Sequence, residues 1–311
     1  MSANFSLALN AAQAAAAEQH YPQGTLYVVA TPIGNLADIS LRALHVLSLC
    51  DTLACEDTRH SQSLLRAFGL DTVGASWLAL HQHNEAQASE EVIRRLQAGQ
   101  RVAYLSDAGT PAISDPGARL VWQVQQAGAR VMPLPGASSI TTLLSAAGSL
   151  HPDDPGFVFD GFLSSKAAER SAQMARIAAD ARTHVLLEAP HRIQALAESL
   201  GTLQQRPVTI GRELTKQFEE IATMPASDLA AWLQTPATRS KGEFALVVHA
   251  QASAPDAADQ HDGLLRLLMQ ELPLKTAVRL AAEISGAPRN ALYTRALALR
   301  EPDAGQDVTS P

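Results

Sequence analysis

The sequence predicts an α/β protein of two units, each built on its own sheet, followed by a small helical module. Three observations carry this prediction. Strand-like apolar runs alternate with helical patterns through most of the chain, the signature of parallel sheets joined by crossover helices. The chain has 311 residues, more than the ~100–200 usual for one domain. The sign of the charge also reverses near the carboxyl end, where residues 263–300 carry a net +4 in a chain whose formal charge is -7. A composition of 46% hydrophobic and 18% charged residues suits a buried core and excludes a disordered or fibrous chain. The longest apolar runs fall well short of the ~20 residues a membrane helix needs, so no membrane span is expected.

Residues 1–22 hold an Ala-rich run at 11–17, and the first Lys or Arg of the chain is Arg42. That amino end lacks the basic region of a secretory signal and is expected to be a flexible tail on a cytoplasmic protein. The first α/β unit is placed at 23–135, with strands at 25–30, 52–55, 101–106 and 130–134 and helices between them. The clearest of these helices runs over 115–127: Asp115 caps it, Pro116 suits its first position, Gly128 stops it, and Leu120, Val121 and Val124 form its buried stripe. Cys50 and Cys55 have no partners at metal-ligand spacing and are expected to be buried free thiols.

The second unit is placed at 136–250, with strands at 157–162, 184–188, 207–212 and 244–249. Pro190 and Gly201 bracket a helix with Ile193, Leu196, Ala197 and Leu200 on one face. Residues 251–262 lack apolar periodicity and are expected to be a linker. The module at 263–301 should hold helices at 275–284 and 290–300 around the turn Ser285-Gly286-Ala287-Pro288, a helix-turn-helix pattern. Its basic side chains suit nucleic acid, and an ordinary helical hairpin covering a sheet or a dimer face is the other reading. Residues 302–311 are expected to be a tail.

The dinucleotide fingerprint GxGxxG is absent, as are GxxxxGK[ST], HExxH and GxSxG. In their place, polar loops follow the strands, where open α/β sheets bind ligands. Thr31-Pro32-Ile33-Gly34-Asn35-Leu36 can bring N–H groups and a hydroxyl to a polar ligand, or simply turn the chain. Ser106-Asp107-Ala108-Gly109-Thr110-Pro111 lets a ligand approach the backbone, and Ser114-Asp115-Pro116-Gly117 opens a helix beside it. Glu56-Asp57-Thr58-Arg59-His60 is either a cleft wall or a self-paired surface network. His81, His83, Asn84 and Glu85 have the donor types of a metal site but equally suit a cap and a loop, and no metal is expected. Arg212-Glu213-Leu214-Thr215-Lys216 and Lys241-Gly242-Glu243 can line a cleft from the second unit.

Taken in order, the segments GTLYVVATPIGNLADIS, ACEDTRHSQSLL, LHQHNE, LSDAGTPAISDPG, PLPGASS, EAPHRI, GRELTKQFEE, KGEFALVV and LPLKTAVRLAAEISGAPRNALY resemble the ribosomal RNA small subunit methyltransferase I family. That family is a branch of the tetrapyrrole (corrin/porphyrin) methylase fold, and the resemblance spans residues 24–301. It implies an S-adenosylmethionine-dependent enzyme that 2'-O-methylates a cytidine ribose in the decoding region of small-subunit (16S) ribosomal RNA. It further implies a cytoplasmic homodimer with the cofactor in the cleft between the two α/β units. The matching loops carry the cofactor role to Thr31, Pro32, Ser106, Asp107, Ala108, Pro111, Pro135, Gly136 and Glu188. The chain departs from the family's usual residues at Ser164, Leu187, Ala189 and Ala137, positions that bear on contacts to the adenine side.

Methyl transfer from a sulfonium needs alignment above all, with a base to take the hydroxyl proton. Glu56, Asp57, Glu213 and Lys216 are the candidates by chemistry and position. Lys275, Arg279, Arg289 and Arg295 are the candidates for gripping RNA. Two rival functions are a precorrin-type tetrapyrrole methyltransferase, which would have little use for a basic module, and a non-catalytic nucleic-acid-binding protein.

Overall fold

In the computed structural model the described residues are 5–149, 156–251 and 261–299, apart from 71, 73, 82 and 83. The expected flexible tail is not what residues 5–22 form. Ser6–Ala16 make a helix, α1, that buries Ala12 and Ala16, and the ring of Phe5 meets Phe68 edge-on at 5.0 Å. An Ala-rich run is both a strong helix former and a face thin enough for close packing, so it docks where a charged tail would not.

The first unit has strands β1 Thr25–Val29, β2 Thr52–Cys55, β3 Ser76–Ala79, β4 Val102–Leu105 and β5 Arg130–Leu134, in the spatial order β3-β2-β4-β1-β5. Every pairing in it is parallel. Between the strands run α2 Leu41–Leu49, α3 Thr58–Ala67, α4 Glu85–Gln97 and α5 Gly117–Gln126. Alternate strand residues serve opposite faces, as the pleat requires. Tyr27, Val29, Leu53, Cys55, Ala103 and Leu105 pack toward α1, α2 and α3, while Leu26, Val28, Ala54, Val102 and Tyr104 pack toward α4 and α5. β3 was not expected from the sequence: it is a four-residue edge strand with an exposed first residue, too short and too open for a clear apolar signal. Both cysteines are free and buried; burial pushes the Cys50 thiol up to about 12 and the Cys55 thiol up to about 11.

The second unit begins with α6 Ser139–Ala147 and continues through β6 Phe157–Gly161, α7 Ala167–Ala179, β7 Thr183–Glu188, α8 Ile193–Leu200, β8 Pro207–Arg212, β9 Glu220–Pro225, α9 Leu229–Gln234 and β10 Phe244–Val248. The sheet order is β6-β7-β10-β8-β9. Here the expectation of a parallel sheet is corrected. Only β6 and β7 pair in parallel; β10 runs antiparallel to both neighbours, and β9 antiparallel to β8. β9 was also unforeseen, because this edge strand is only partly buried along its length. The helices α7, α8 and α9 cover one face. On the other face, Leu143 of α6 packs with Val185, Ala245, Val247 and Leu214, and Ile33 from the first unit joins them.

Among the described residues the carboxyl-terminal module has three helices, α10 Asp262–Glu271, α11 Leu274–Ser285 and α12 Arg289–Ala298. Leu265, Val278, Ala281, Leu292 and Ala296 form its own core. Gly286, at φ +71, ends α11 in the left-handed conformation that glycine tolerates best. The first of the three helices was not expected. The expected linker lies outside the described residues except for 251, 261 and 262, and α10 already begins at Asp262. The expected tail at 302–311 also lies outside them.

Candidate active site

The carboxyl ends of β1, β2, β4 and β5 face those of β6, β7 and β8, with the amino end of β10 between them. A cavity of about 340 Å³ opens there. Its wall from the first unit is the loop after β4. Ser106 Oγ donates to Gly109 O at 2.8 Å, and Thr31 and Gly109 exchange backbone hydrogen bonds at 3.0 Å in both directions. Thr31 Oγ1 donates to Ser106 O. The loop after β1 therefore serves to fix the loop after β4. Of the residues given the cofactor role, Ser106, Asp107 and Ala108 line the cavity, whereas Thr31, Pro32 and Pro111 are buried and do not.

Asp115 ties this wall to α5. Its Oδ1 accepts from Tyr104 Oη at 3.0 Å, Ala112 N at 2.9 Å and Gly117 N at 2.8 Å. Burial, reinforced by the Asp115 charge, pushes the Tyr104 phenol up, so it stays a donor. A Cβ at Gly117 would overlap Tyr104 Cε1, which explains a glycine at the start of a helix.

Glu56, at the end of β2, lines the cavity. Burial, then the nearby charges of Asp107 and Asp115, raise its carboxyl above its ordinary value, against an opposing pull from His81. Its neighbour Asp57 is different. Asp57 Oδ1 accepts from Arg59 N and His60 N as the N-cap of α3, and those backbone bonds hold its carboxyl below the usual range. Unlike Glu56, it is not among the residues that line the cavity, and its carboxylate is engaged by the α3 backbone.

Pro135 and Gly136 are exposed and do not line the cavity either. A Cβ at Gly136 would lie 2.8 Å from Ala30 Cβ, so the glycine lets this loop pass the end of β1. The loop instead delivers Ser138, Ser139 and Ile140, at the start of α6, to the lining. None of the three was named as a site residue, although Ser138 and Ser139 end the segment PLPGASS and Ile140 follows it.

From the second unit come Phe162, Leu187, Glu188, Ala189, Leu214 and Glu243 to Ala245. Glu188 was expected, and Glu243 lies in a segment expected to line the cleft. Glu188 is 3% exposed; its Oε1 accepts from Ala189 N at 2.9 Å and pairs with Arg192 Nε at 3.0 Å. Glu213 and Lys216 do not line the cavity but hold Glu243 from outside. Lys216 Nζ donates to Glu213 Oε1 at 2.8 Å and to Glu243 Oε2 at 2.7 Å. Burial pushes the Glu213 carboxyl up, yet Lys216 and the Glu243 N–H outweigh it and hold it below its ordinary value.

The lining thus contains five carboxylates, Glu56, Asp107, Asp115, Glu188 and Glu243, and no Lys or Arg. Among the described residues no group of three His, Cys, Asp or Glu side chains is placed to hold a metal. Asn84 accepts from His81 N and donates to Ala79 O, which makes that segment a loop support; His83 lies outside the described residues. No described helix is long and apolar enough to cross a membrane.

In the module, Lys275, Arg279 and Arg289 are exposed, with Arg279 paired to Glu283 at 3.0 Å. Arg295 is engaged differently from the expectation. Its Nε and Nη2 each donate to Asp262 at 2.8 Å, joining α12 to α10 across 33 residues of chain.

The pattern of the Tetrapyrrole (Corrin/Porphyrin) Methylases matches residues 25–230, and that of the RsmI C-terminal HTH domain matches residues 254–300. Solved structures with the same fold include a cobalt precorrin-4 methyltransferase, with a TM-score of 0.53 and 19% identity, covering 74% of this chain and 98% of that one. Another is uroporphyrin-III-C-methyltransferase from Thermus thermophilus, with a TM-score of 0.51 and 21% identity over 73% and 94% of the two chains. A two-unit α/β architecture with a cleft between its sheets and this match define a methyltransferase of the tetrapyrrole methylase fold. Among its relatives, ribosomal RNA small subunit methyltransferase I of Escherichia coli O157:H7 is 46% identical over 278 residues, 88% of this chain and 95% of that protein. The protein of the same name from Pseudomonas aeruginosa is 46% identical over 283 residues, 88% and 97% of the two chains. The chain belongs to the ribosomal RNA small subunit methyltransferase I family.

Proposed function

We propose that this protein transfers a methyl group from S-adenosylmethionine to the ribose 2'-hydroxyl of a cytidine in small-subunit ribosomal RNA, acting in the cytoplasm as a homodimer. The observation that carries the cofactor reading is the cavity lining. Five carboxylates and no basic side chain suit a ligand bearing a sulfonium and an ammonium, and oppose a tetrapyrrole that carries several carboxylates of its own. Family membership and the exposed basic residues of the module favour RNA as the acceptor.

The residues present fit that cofactor. The small side chains of Ser106, Ala108 and Ala189 leave the backbone open to a flat ligand. The first N–H groups of α6, at Ser139 and Ile140, have no partner within the helix and suit a carboxylate. Asp107, Glu188 and Glu243 suit donor groups and positive charge. Bound there, S-adenosylmethionine supplies an electrophilic methyl group on a sulfonium.

The chain's own part in the step is alignment and removal of one proton. Glu56, whose carboxyl is raised above its ordinary value by burial and by Asp107 and Asp115, takes the proton from the 2'-hydroxyl as the C–O bond forms and the methyl–sulfur bond breaks. A base matched to the working pH contributes about 10²–10⁴-fold. Lys275 and Arg289 hold phosphates at a distance from the acid-lined cavity. Only an unstacked nucleotide offers its ribose to such a cleft, in keeping with recognition of single-stranded elements. Incubation with labelled S-adenosylmethionine and either undermethylated small subunits or a precorrin tests the reading. Label in the ribosomal RNA supports it, and label in the precorrin alone overturns it.

A further inference from the structure

The loop between β8 and β9 is strained and crosses between the two units. Glu213 and Thr215 adopt φ of +51° and +67°, a region that strains a non-glycine residue unless its surroundings hold it there. What holds it is visible. Glu213 N donates to Glu243 O at 3.0 Å, Glu243 N donates back to Glu213 Oε1 at 2.9 Å, and Lys216 bridges the two carboxylates. The stem of Lys216 meanwhile lies on the first unit. A Cβ at Gly34, in the loop after β1, would overlap Lys216 Cγ and lie 3.0 Å from both Lys216 Cε and Thr215 Oγ1.

Lys216 therefore touches three things at once: the strained loop, a carboxylate in the cavity lining, and the bare backbone of the opposite unit. Burial pulls its ammonium down, but hydrogen bonds and charge from Glu213 and Glu243 outweigh this and hold it above its ordinary value. It stays charged at neutral pH and has no lone pair to accept a proton.

We propose that Lys216 is a positioning residue for the cofactor: it fixes the Glu243 carboxylate at the cavity rim and latches the second unit onto Gly34 of the first, outside the chemical step. The proposal rests on the reading that this cavity binds S-adenosylmethionine. Without the ammonium, the two carboxylates that it bridges are left as neighbouring like charges, and Glu243 is free to turn into solvent.

Calorimetric titration with S-adenosylmethionine of the parent, Lys216→Met, Glu243→Gln, the double variant and Gly34→Ala tests it. Met keeps most of the stem and removes the charge, so Lys216→Met should weaken binding roughly tenfold. Glu243→Gln should do about the same, and the double variant should be no weaker than the worse single one, because both act on one contact. Gly34→Ala should weaken binding by displacing the stem. At saturating cofactor the midpoint of the pH profile of kcat should stay where it is in the parent. Unchanged affinity with only a lower Tm would make Lys216 a structural residue and overturn the proposal. Additive losses in the double variant would show that it does not act through Glu243. A shifted pH profile with unchanged affinity would place Lys216 in the chemistry. Failure of the parent itself to bind S-adenosylmethionine would instead overturn the reading of the cavity.

Discussion

Replacing Asp107 by Asn removes one of the five cavity carboxylates while keeping its shape. The structural cost is small: the carboxylate accepts a long hydrogen bond, 3.4 Å, from Asp57 N, and an amide oxygen can accept the same bond. The functional cost is the loss of a charge-assisted contact to a cationic ligand, roughly 1.5–3 kcal/mol, which is about a 10- to 150-fold rise in Kd. A second effect has a definite sign. Asp107 is among the charges that raise the Glu56 carboxyl, so its removal lowers the pH at which Glu56 ionises, and the acid limb of kcat moves to lower pH. Calorimetry with S-adenosylmethionine reads the first effect and a pH series at saturating cofactor reads the second. Affinity within twofold of the parent, or an acid limb displaced upward, would refute the assignment of Asp107 to the cofactor wall.

Glu56→Gln should lower kcat by about 10²–10⁴-fold with little change in cofactor Kd; a variant with near-parental kcat would remove Glu56 from proton transfer. In the parent, Glu56 is active when ionised and burial raises its carboxyl, so kcat should fall as the pH drops through the Glu56 ionisation, and a kcat that holds steady in acid would contradict this. Gly117→Ala forces a methyl group into the buried Tyr104 ring and against Asp115 Oδ1, at about 1–3 kcal/mol, so scanning calorimetry should show a Tm several degrees lower. Lys275→Gln and Arg289→Gln should each reduce the slope of log affinity for RNA against log salt by roughly one, whereas Arg295→Gln should act first on the melting of the module, because its guanidinium holds Asp262.

Much of the architecture is legible in the chain because it is local. The fully buried pentads Thr25–Val29 and Phe244–Val248 read as central strands, and the polar loops at their ends read as a cleft. What escaped is what depends on partners. The edge strands β3 and β9 show only half-buried patterns, and the antiparallel placement of β10 between β7 and β8 leaves no mark on the apolar run itself. The helix α1 looks like a low-complexity segment until α2 is there to pack on.

The site divides in the same way. Ser106, Asp107, Ala108, Glu56 and Glu188 sit at strand ends, where open sheets expose function. Ile33 and Leu214 lie in loops that the sequence marks as able to reach a cleft, whereas Ile140 and Phe162 reach the cavity only because the two sheets face each other, a relation no single segment records. Asp57 and Arg295 carry the right chemistry for catalysis and RNA contact, but their nearest hydrogen-bond partners, the α3 backbone and Asp262, claim them first.

The most direct test is nucleoside mass spectrometry of small-subunit ribosomal RNA after reaction of undermethylated subunits with this protein and isotopically labelled S-adenosylmethionine. A labelled 2'-O-methylcytidine, gained by the parent and lost with Glu56→Gln, is the predicted result. Label on a base, on another nucleoside, or on no RNA at all would contradict it.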